Sequence, residues 1–216
     1  YTHDEYGEIS YISAPPKPHI MRWNNFSSPQ KLATRAIRAY VPNTPPPYDV
    51  IYAHDGQNLF GDSTVTWDLP TALASTSANI LVVGIDNSTD RFAEYTHVDD
   101  TIEFAGQTLH VTANGDNYAA FVETTVRPFI ESKFQTTAKA GLMGSSLGGL
   151  ISLYIAHLYP NRYKAVLALS PTTAWGDFSA HNPTIASLYQ AAGHRSTVIY
   201  VDSGGSAGSG CKNSPQ

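Results

Sequence analysis

Apolar positions along the chain fall into short blocks. Val50–Ala53, Ile80–Ile85, Ala138–Met143, Ala165–Leu169 and Thr197–Val201 are nearly continuous apolar runs, as expected of strands buried on both faces. Thr34–Val41 alternates as a further strand, and Pro42 with Pro45-Pro46-Pro47 ends it in a rigid loop. Between the runs lie helical segments at about Leu69–Ser75, Asn117–Phe134, Leu150–Tyr159 and Pro183–Ala192. In the longest of these, Tyr118, Phe121, Val122, Thr125, Phe129 and Ile130 recur with a helical period. Strand and helix in alternation predict an α/β fold with a mostly parallel central sheet and helices on both faces. Residues 1–31, broken by Pro15, Pro16, Pro18 and Pro29, are expected to form an N-terminal arm with one strand at Glu8–Ser13. Residues 32–216 are expected to form one domain, closing on a Gly/Ser-rich loop at Ser203–Gly210.

Composition narrows the class. Of 216 residues, 42% are hydrophobic and 14% charged, which excludes a disordered, charge-rich chain and provides for a sizeable core. A formal net charge of -5 argues against nucleic acid as a general partner. No apolar run approaches the ~18 residues that span a bilayer. Tyr1-Thr2-His3-Asp4-Glu5 has neither the basic start nor the apolar core of a signal peptide, and the absence of an initial Met suggests a mature product or a chain lacking its leader. Low charge with many Tyr, Ser and Thr residues suggests a secreted or periplasmic protein, with the cytoplasm as the alternative. The single cysteine, Cys211, excludes a zinc ribbon, a CxxC pair and an internal disulfide. It reads as an exposed thiol, or as half of a bridge whose partner lies beyond Gln216.

The chemistry centres on Gly144-Ser145-Ser146-Leu147-Gly148, a G-x-S-x-G pattern. About 0.1 chance matches are expected in a chain of this size, so the context matters more than the string. A strand leads into the motif and a helix leads out, which is the setting of a nucleophile elbow: a tight turn that lifts the serine Oγ above the sheet. The competing reading is a Gly-rich turn in which Ser146 caps the helix. A tetrahedral oxyanion needs two N–H donors. Leu147 N–H would supply one, and Gln57 N–H the other, from His54-Asp55-Gly56-Gln57-Asn58 directly after the strand Val50–Ala53. Alone, this second segment would read as an ordinary Asp-Gly turn.

VIYAHDGQNLF at Val50–Phe60, Thr66-Trp67-Asp68, VVGIDN at Val82–Asn87, Arg91 with Glu94-Tyr95, GSSLGGLISLY at Gly144–Tyr154 and ALSP at Ala168–Pro171 occur together and in order. This set resembles the esterase group of the α/β-hydrolase superfamily that includes esterase D, feruloyl esterases, enterochelin esterases and the antigen 85 mycolyltransferases. The likeness covers roughly Arg35–Ser203. It implies the α/β-hydrolase fold and a Ser-His-acid hydrolase with Ser146 as nucleophile and an oxyanion hole at Gln57 and Leu147. By likeness to the mycolyltransferases, Asp55, with His54 beside it, is expected to line the substrate cleft.

The family order of nucleophile, acid and histidine is not completed. After Ser146 the acids are Asp177 and Asp202, and the histidines are His157, His181 and His194. His157 lies on the helix leaving the elbow, and His194 precedes a strand and so falls at the wrong sheet edge. His181 follows Ala165–Leu169 at the correct edge and is retained as a weak base candidate. Asp202, closing Thr197–Val201, is a weak acid candidate that reads equally well as a loop residue. The economical expectation is that the chain stops before the segment bearing the family's histidine.

Trp67 and Trp175 fall in loops on the active-site side and could wall a pocket. Asp99-Asp100 with Glu103, and Asp86-Asn87 with Asp90, lack calcium-loop spacing, and no phosphate or dinucleotide fingerprint occurs, so neither metal nor cofactor is called for. The expectation is a serine ester hydrolase working through an acyl-enzyme on a small-molecule or carbohydrate ester, such as a carbohydrate acetyl or feruloyl esterase or a short-chain carboxylesterase. The alternatives are an acyltransferase or thioesterase with the same nucleophile, or a catalytically incomplete binding domain on this fold.

Overall fold

The apolar runs become a seven-stranded sheet in a computed structural model that describes residues 18–61, 66–193 and 195–203. The strands are β1 (His19–Phe26), β2 (Arg35–Val41), β3 (Tyr48–His54), β4 (Ile80–Ile85), β7 (Thr136–Ser145), β8 (Ala165–Leu169) and β9 (Val198–Val201). The sheet order is β1-β2-β4-β3-β7-β8-β9. β2 pairs antiparallel with both β1 and β4, and every pairing from β4 through β9 is parallel. β5 (Asp100–Phe104) and β6 (Gln107–Val111) form a separate antiparallel hairpin.

Side-chain alternation assigns each strand residue to one of two cores. Ile37, Ala39, Val50, Tyr52, Leu81, Val83, Ala140 and Leu142 enter the larger core. It is closed by α3 (Gly115–Phe121), α4 (Arg127–Lys133), α5 (Leu147–Leu158) and α6 (Ile185–Ala192). Tyr40, Ala53, Val82 and Met143 face the opposite side, where Leu69 and Leu73 of α1 (Leu69–Ala74) cover them. A parallel sheet with helices on both faces is therefore the architecture. A short helix, α2 (Arg91–Glu94), carries Glu94 to a buried, bidentate pair with Arg35 at 2.6 and 2.8 Å.

The structure departs from the sequence expectation in three places. His19–Phe26, expected to be part of an arm, is the edge strand β1, because Trp23 and Phe26 bury their rings against the larger core. The helix expected over Asn117–Phe134 runs as α3, a π-helical stretch at Val122–Val126, and α4. Pro128 explains the widening: it has no N–H for the Thr124 carbonyl, and its ring needs room there. The hairpin β5–β6 and the helix α2 were not anticipated. The expected strand at Glu8–Ser13, His194, Cys211 and nearly all of the Ser203–Gly210 loop lie outside the described residues. At the far edge, all four residues of β9 are exposed, an apolar strand presented along one side of the sheet.

Candidate active site

Parallel pairing brings the carboxyl ends of β3, β7, β8 and β9 to one sheet edge, and the site is built there. Ala53 of β3 pairs with Met143 of β7. Gln57 and Leu147 thus lie the same number of residues beyond a shared rung.

Ser146 follows β7 at φ 55° and ψ −121°, a conformation that an L side chain rarely adopts. The turn is possible because a Cβ at Gly144 would collide with the Gly148 backbone. Ser146 N–H donates to Leu169 O at 3.0 Å, and Ser146 O accepts from Leu150 N–H at 3.1 Å and from Thr172 N–H at 3.2 Å. The side chain does not cap α5, contrary to the capping alternative. Ser146 Oγ is instead exposed and lies 3.3 Å from Thr172 Oγ1. Leu147 opens α5, where an N–H has no acceptor within the helix.

Ser146 and Leu147 open onto a cavity of about 610 Å³. One wall is Thr101, Ile102, Glu103 and Phe104 of β5; the other is Thr172, Trp175, Phe178 and Ser179. Arg91 and Phe92 of α2 complete it. The lining is aromatic: Phe92 meets Phe104 edge-on with centroids 5.2 Å apart, and Trp175 meets Phe178 at 6.1 Å. Trp175 lies in that lining, with its Nε1–H donating to Val98 O at 2.8 Å.

Several predicted residues do not line this cavity. His54 shares a face of β3 with Val50 and Tyr52, so its ring points into the larger core, with Nδ1 2.9 Å from Tyr118 Oη. Burial lowers its pKa to about 4, against a smaller opposing effect of Asp55, so the imidazole is neutral near pH 7. Asp55 is also buried, at φ 58°, with its carboxylate consumed by Arg91 (Nε 2.7 Å, Nη2 2.8 Å) and Asn87 (Nδ2 2.7 Å). The Asp55 carboxylate holds Arg91, and it is Arg91 that reaches the cavity. Gln57 lies in a 3-10 turn, Gly56–Asn58, whose hydrogen bonds use Asn58 N–H and Leu59 N–H rather than Gln57 N–H. The Gln57 side chain accepts from Asn87 N–H at 3.1 Å. Trp67 is exposed, and its backbone N–H donates to Asn58 O at 2.8 Å.

The weak triad candidates are also placed apart from Ser146 Oγ. His181, exposed and at φ 50°, hydrogen-bonds Asp177 Oδ1 through Nδ1 at 2.9 Å. Asp202 sits at the end of β9 on the same sheet edge as Ser146, but its Oδ1 accepts from Ser170 N–H at 2.6 Å and from Ser170 Oγ at 3.3 Å. Among the described residues, Thr172 is the hydrogen-bonding partner of Ser146 Oγ. The acidic clusters considered for calcium are committed elsewhere: Asp86 to Arg38, Asp99 to Ala113 N–H, Glu103 to Thr108, and Asp100 to backbone amides. No group of three or more His, Cys, Asp or Glu residues is arranged to hold a metal among the described residues. No helix among them is long and apolar enough to cross a membrane.

Sequence reasoning missed Thr172, Arg91 as a cavity residue, and the wall formed by Phe92, Ile102 and Phe104. Thr172 follows directly on the Ala168–Pro171 block, and Arg91 stood within a quoted motif. The β5 wall left no apolar signature to find.

Comparison with known proteins agrees with the fold. The ferri-bacillibactin esterase BesA of Bacillus subtilis is 29% identical, over 69% of this chain and 57% of BesA. An IroE-like serine hydrolase from Shewanella oneidensis superposes with a TM-score of 0.62 at 23% identity, over 79% of this chain and 54% of that one. The enterobactin esterase FES of Shigella flexneri, crystallised with 2,3-dihydroxy-N-benzoyl-serine, gives a TM-score of 0.59 at 19% identity, over 86% of this chain and 46% of its own. The chain thus spans a little over half the length of BesA and of the IroE-like protein. The family model "Putative esterase" matches residues 32–215, and with the α/β-hydrolase sheet in place the chain belongs to that esterase family.

Proposed function

We propose that this chain carries the nucleophile and the oxyanion donors of a serine hydrolase for small-molecule carboxylic esters bearing aromatic groups, esters of the siderophore kind. The observation that carries this reading is Ser146, held at a positive-φ strand-to-helix turn with its hydroxyl exposed at an aromatic cavity. Ser146 Oγ attacks the ester carbonyl, the C–O bond breaks, and the alcohol leaves an acyl-serine that water then hydrolyses. Leu147 N–H and Gln57 N–H receive the oxyanion. Their equal offset from the Ala53–Met143 rung supports that pairing.

The serine proton needs an acceptor. Thr172 Oγ1 is too weak a base, and His181, although Asp177 holds its Nδ1 as a carboxylate holds a triad histidine, makes no hydrogen bond to Ser146 Oγ. The general base is therefore assigned to a histidine outside the described residues, with Asp202 kept as the candidate acid on the shared sheet edge.

A cavity of about 610 Å³ with Phe92, Phe104, Trp175 and Phe178 in its lining favours an ester carrying a bulky aromatic group over one that is small on both sides of the scissile bond. The relatives named for ferri-bacillibactin and for enterobactin point to the same substrate class. The test is turnover of a catechol-bearing siderophore ester, methyl ferulate and methyl acetate by the wild type and Ser146→Ala. The account expects the siderophore ester to have the highest kcat/KM and Ser146→Ala to lose about 10³-fold or more in kcat. A preference for acetyl esters would reject the substrate class. Unchanged turnover by the variant would reject the nucleophile.

A further inference from the structure

The two walls of the cavity come from segments far apart in sequence, and one buried carboxylate joins them. Asp100 begins β5, immediately before Thr101 and Ile102 of the first wall. Its side chain turns towards the second wall, where Oδ2 accepts from Gly176 N–H at 2.8 Å and from Phe178 N–H at 3.0 Å. Oδ1 accepts from Thr101 N–H at 2.8 Å, Ser179 N–H at 3.0 Å, Ala180 N–H at 3.2 Å and Ser179 Oγ at 3.3 Å. Burial pushes this carboxyl up, but the backbone N–H donors outweigh it and bring the pKa down to about 2, so Asp100 is ionised wherever the protein is folded near neutrality. Such charge-assisted bonds are stronger than neutral ones.

The loop also has anchors that do not involve Asp100. Trp175 Nε1–H reaches Val98 O, and Asn182 Nδ2–H donates to Asp99 O at 2.8 Å. Loss of the Asp100 bonds should therefore loosen residues 176–180 without detaching the whole segment.

We propose that Asp100 is a positioning residue that holds the β5 wall and the Trp175–Phe178 wall in register, and so sets the preference of the site for aromatic over small ester substituents. This rests on the ester-hydrolase reading given above. Asp100→Asn makes a specific incision. The amide can keep one acceptor oxygen for Thr101, Ser179 and Ala180, but its NH₂ then faces the Gly176 and Phe178 N–H donors, and those two bonds are lost. The loss falls on the segment that presents the half-exposed Phe178 ring.

The experiment pairs steady-state kinetics with hydrogen–deuterium exchange on wild type and Asp100→Asn. The expected exchange result is at least tenfold faster exchange at residues 176–180, with unchanged protection in β7 and α5. The expected kinetic result is a fall of about tenfold in the ratio of kcat/KM for methyl ferulate to that for methyl acetate, carried by KM rather than kcat. Unchanged exchange, or an unchanged ratio with faster exchange, overturns the proposal. Should Asp100→Asn fail to fold, Phe178→Ala, which leaves the carboxylate bonds in place, is expected to give the same KM-borne fall, and an unaltered ratio overturns it. If wild type hydrolyses no ester, the hydrolase reading fails by itself, while the exchange result still decides whether Asp100 clamps the loop.

Discussion

Ser146→Gly compared with Ser146→Ala isolates the strain stored at the turn. At φ 55° and ψ −121° a residue with a Cβ sits in sparsely populated backbone space, which costs on the order of 1 to 3 kcal/mol. Glycine removes that cost but gives back about 0.5 to 1 kcal/mol through the greater entropy of the unfolded chain. Both variants lose the 3.3 Å contact to Thr172, and the exposed side chain contributes little burial, so these effects cancel in the comparison. The net expectation is that Ser146→Gly is more stable than Ser146→Ala by about 1 kcal/mol, or about 2 to 4 °C in Tm for a domain of this size. Urea melts at constant m-value, with thermal melts alongside, measure it. Equal stability of the two variants, or a more stable alanine variant, would refute the claim that the serine is held under backbone strain.

His54 carries a pH signature. Its pKa is about 4 folded and about 6.5 unfolded, so the unfolded chain takes up a proton first and this group's contribution to stability is lost as pH falls from about 6.5 to 4. Between pH 7 and 4.5 that amounts to about 2 to 3 kcal/mol, and urea melts of His54→Asn should show a correspondingly shallower acid loss; an unchanged slope excludes a buried neutral His54. Glu94→Ala leaves the buried Arg35 charge uncompensated, which should cost about 3 to 5 kcal/mol by chemical denaturation, and a loss under 1 kcal/mol would show that the pair is solvated. His181→Ala should leave kcat/KM within about twofold of wild type, because the hydrogen-bonding partner of Ser146 Oγ is Thr172 and not His181; a fall of about a hundredfold or more would make His181 the base.

The strands that build the sheet were legible because burial on both faces leaves continuous apolar runs, and Val50–Ala53, Ile80–Ile85 and Ala165–Leu169 all fall within observed strands. The strand-to-helix turn at Ser146 was legible because so tight a crossing demands glycine at fixed places, and Gly144 and Gly148 meet there. The hairpin was hidden for the converse reason. DTIEF and QTLHV cover little core and alternate weakly, yet DTIEF supplies one wall of the cavity. β1 was obscured by its polar residues and neighbouring prolines, although Trp23 and Phe26 held the clue to its burial. His54 could have been placed correctly, since strand alternation from Val50 and Tyr52 carries it into the core. The commitment of Asp55 to Arg91 joins residues 36 positions apart, and no local pattern encodes such a pair.

Peptide mapping after reaction with a fluorophosphonate tests the central claim most directly, because the reagent marks whichever hydroxyl is activated beside an oxyanion hole. On protein that hydrolyses an ester substrate, the account predicts one stoichiometric adduct on Ser146, formed in step with loss of activity and prevented by that ester. An adduct on the neighbouring Ser145 or elsewhere, or full activity retained with Ser146 modified, would contradict it.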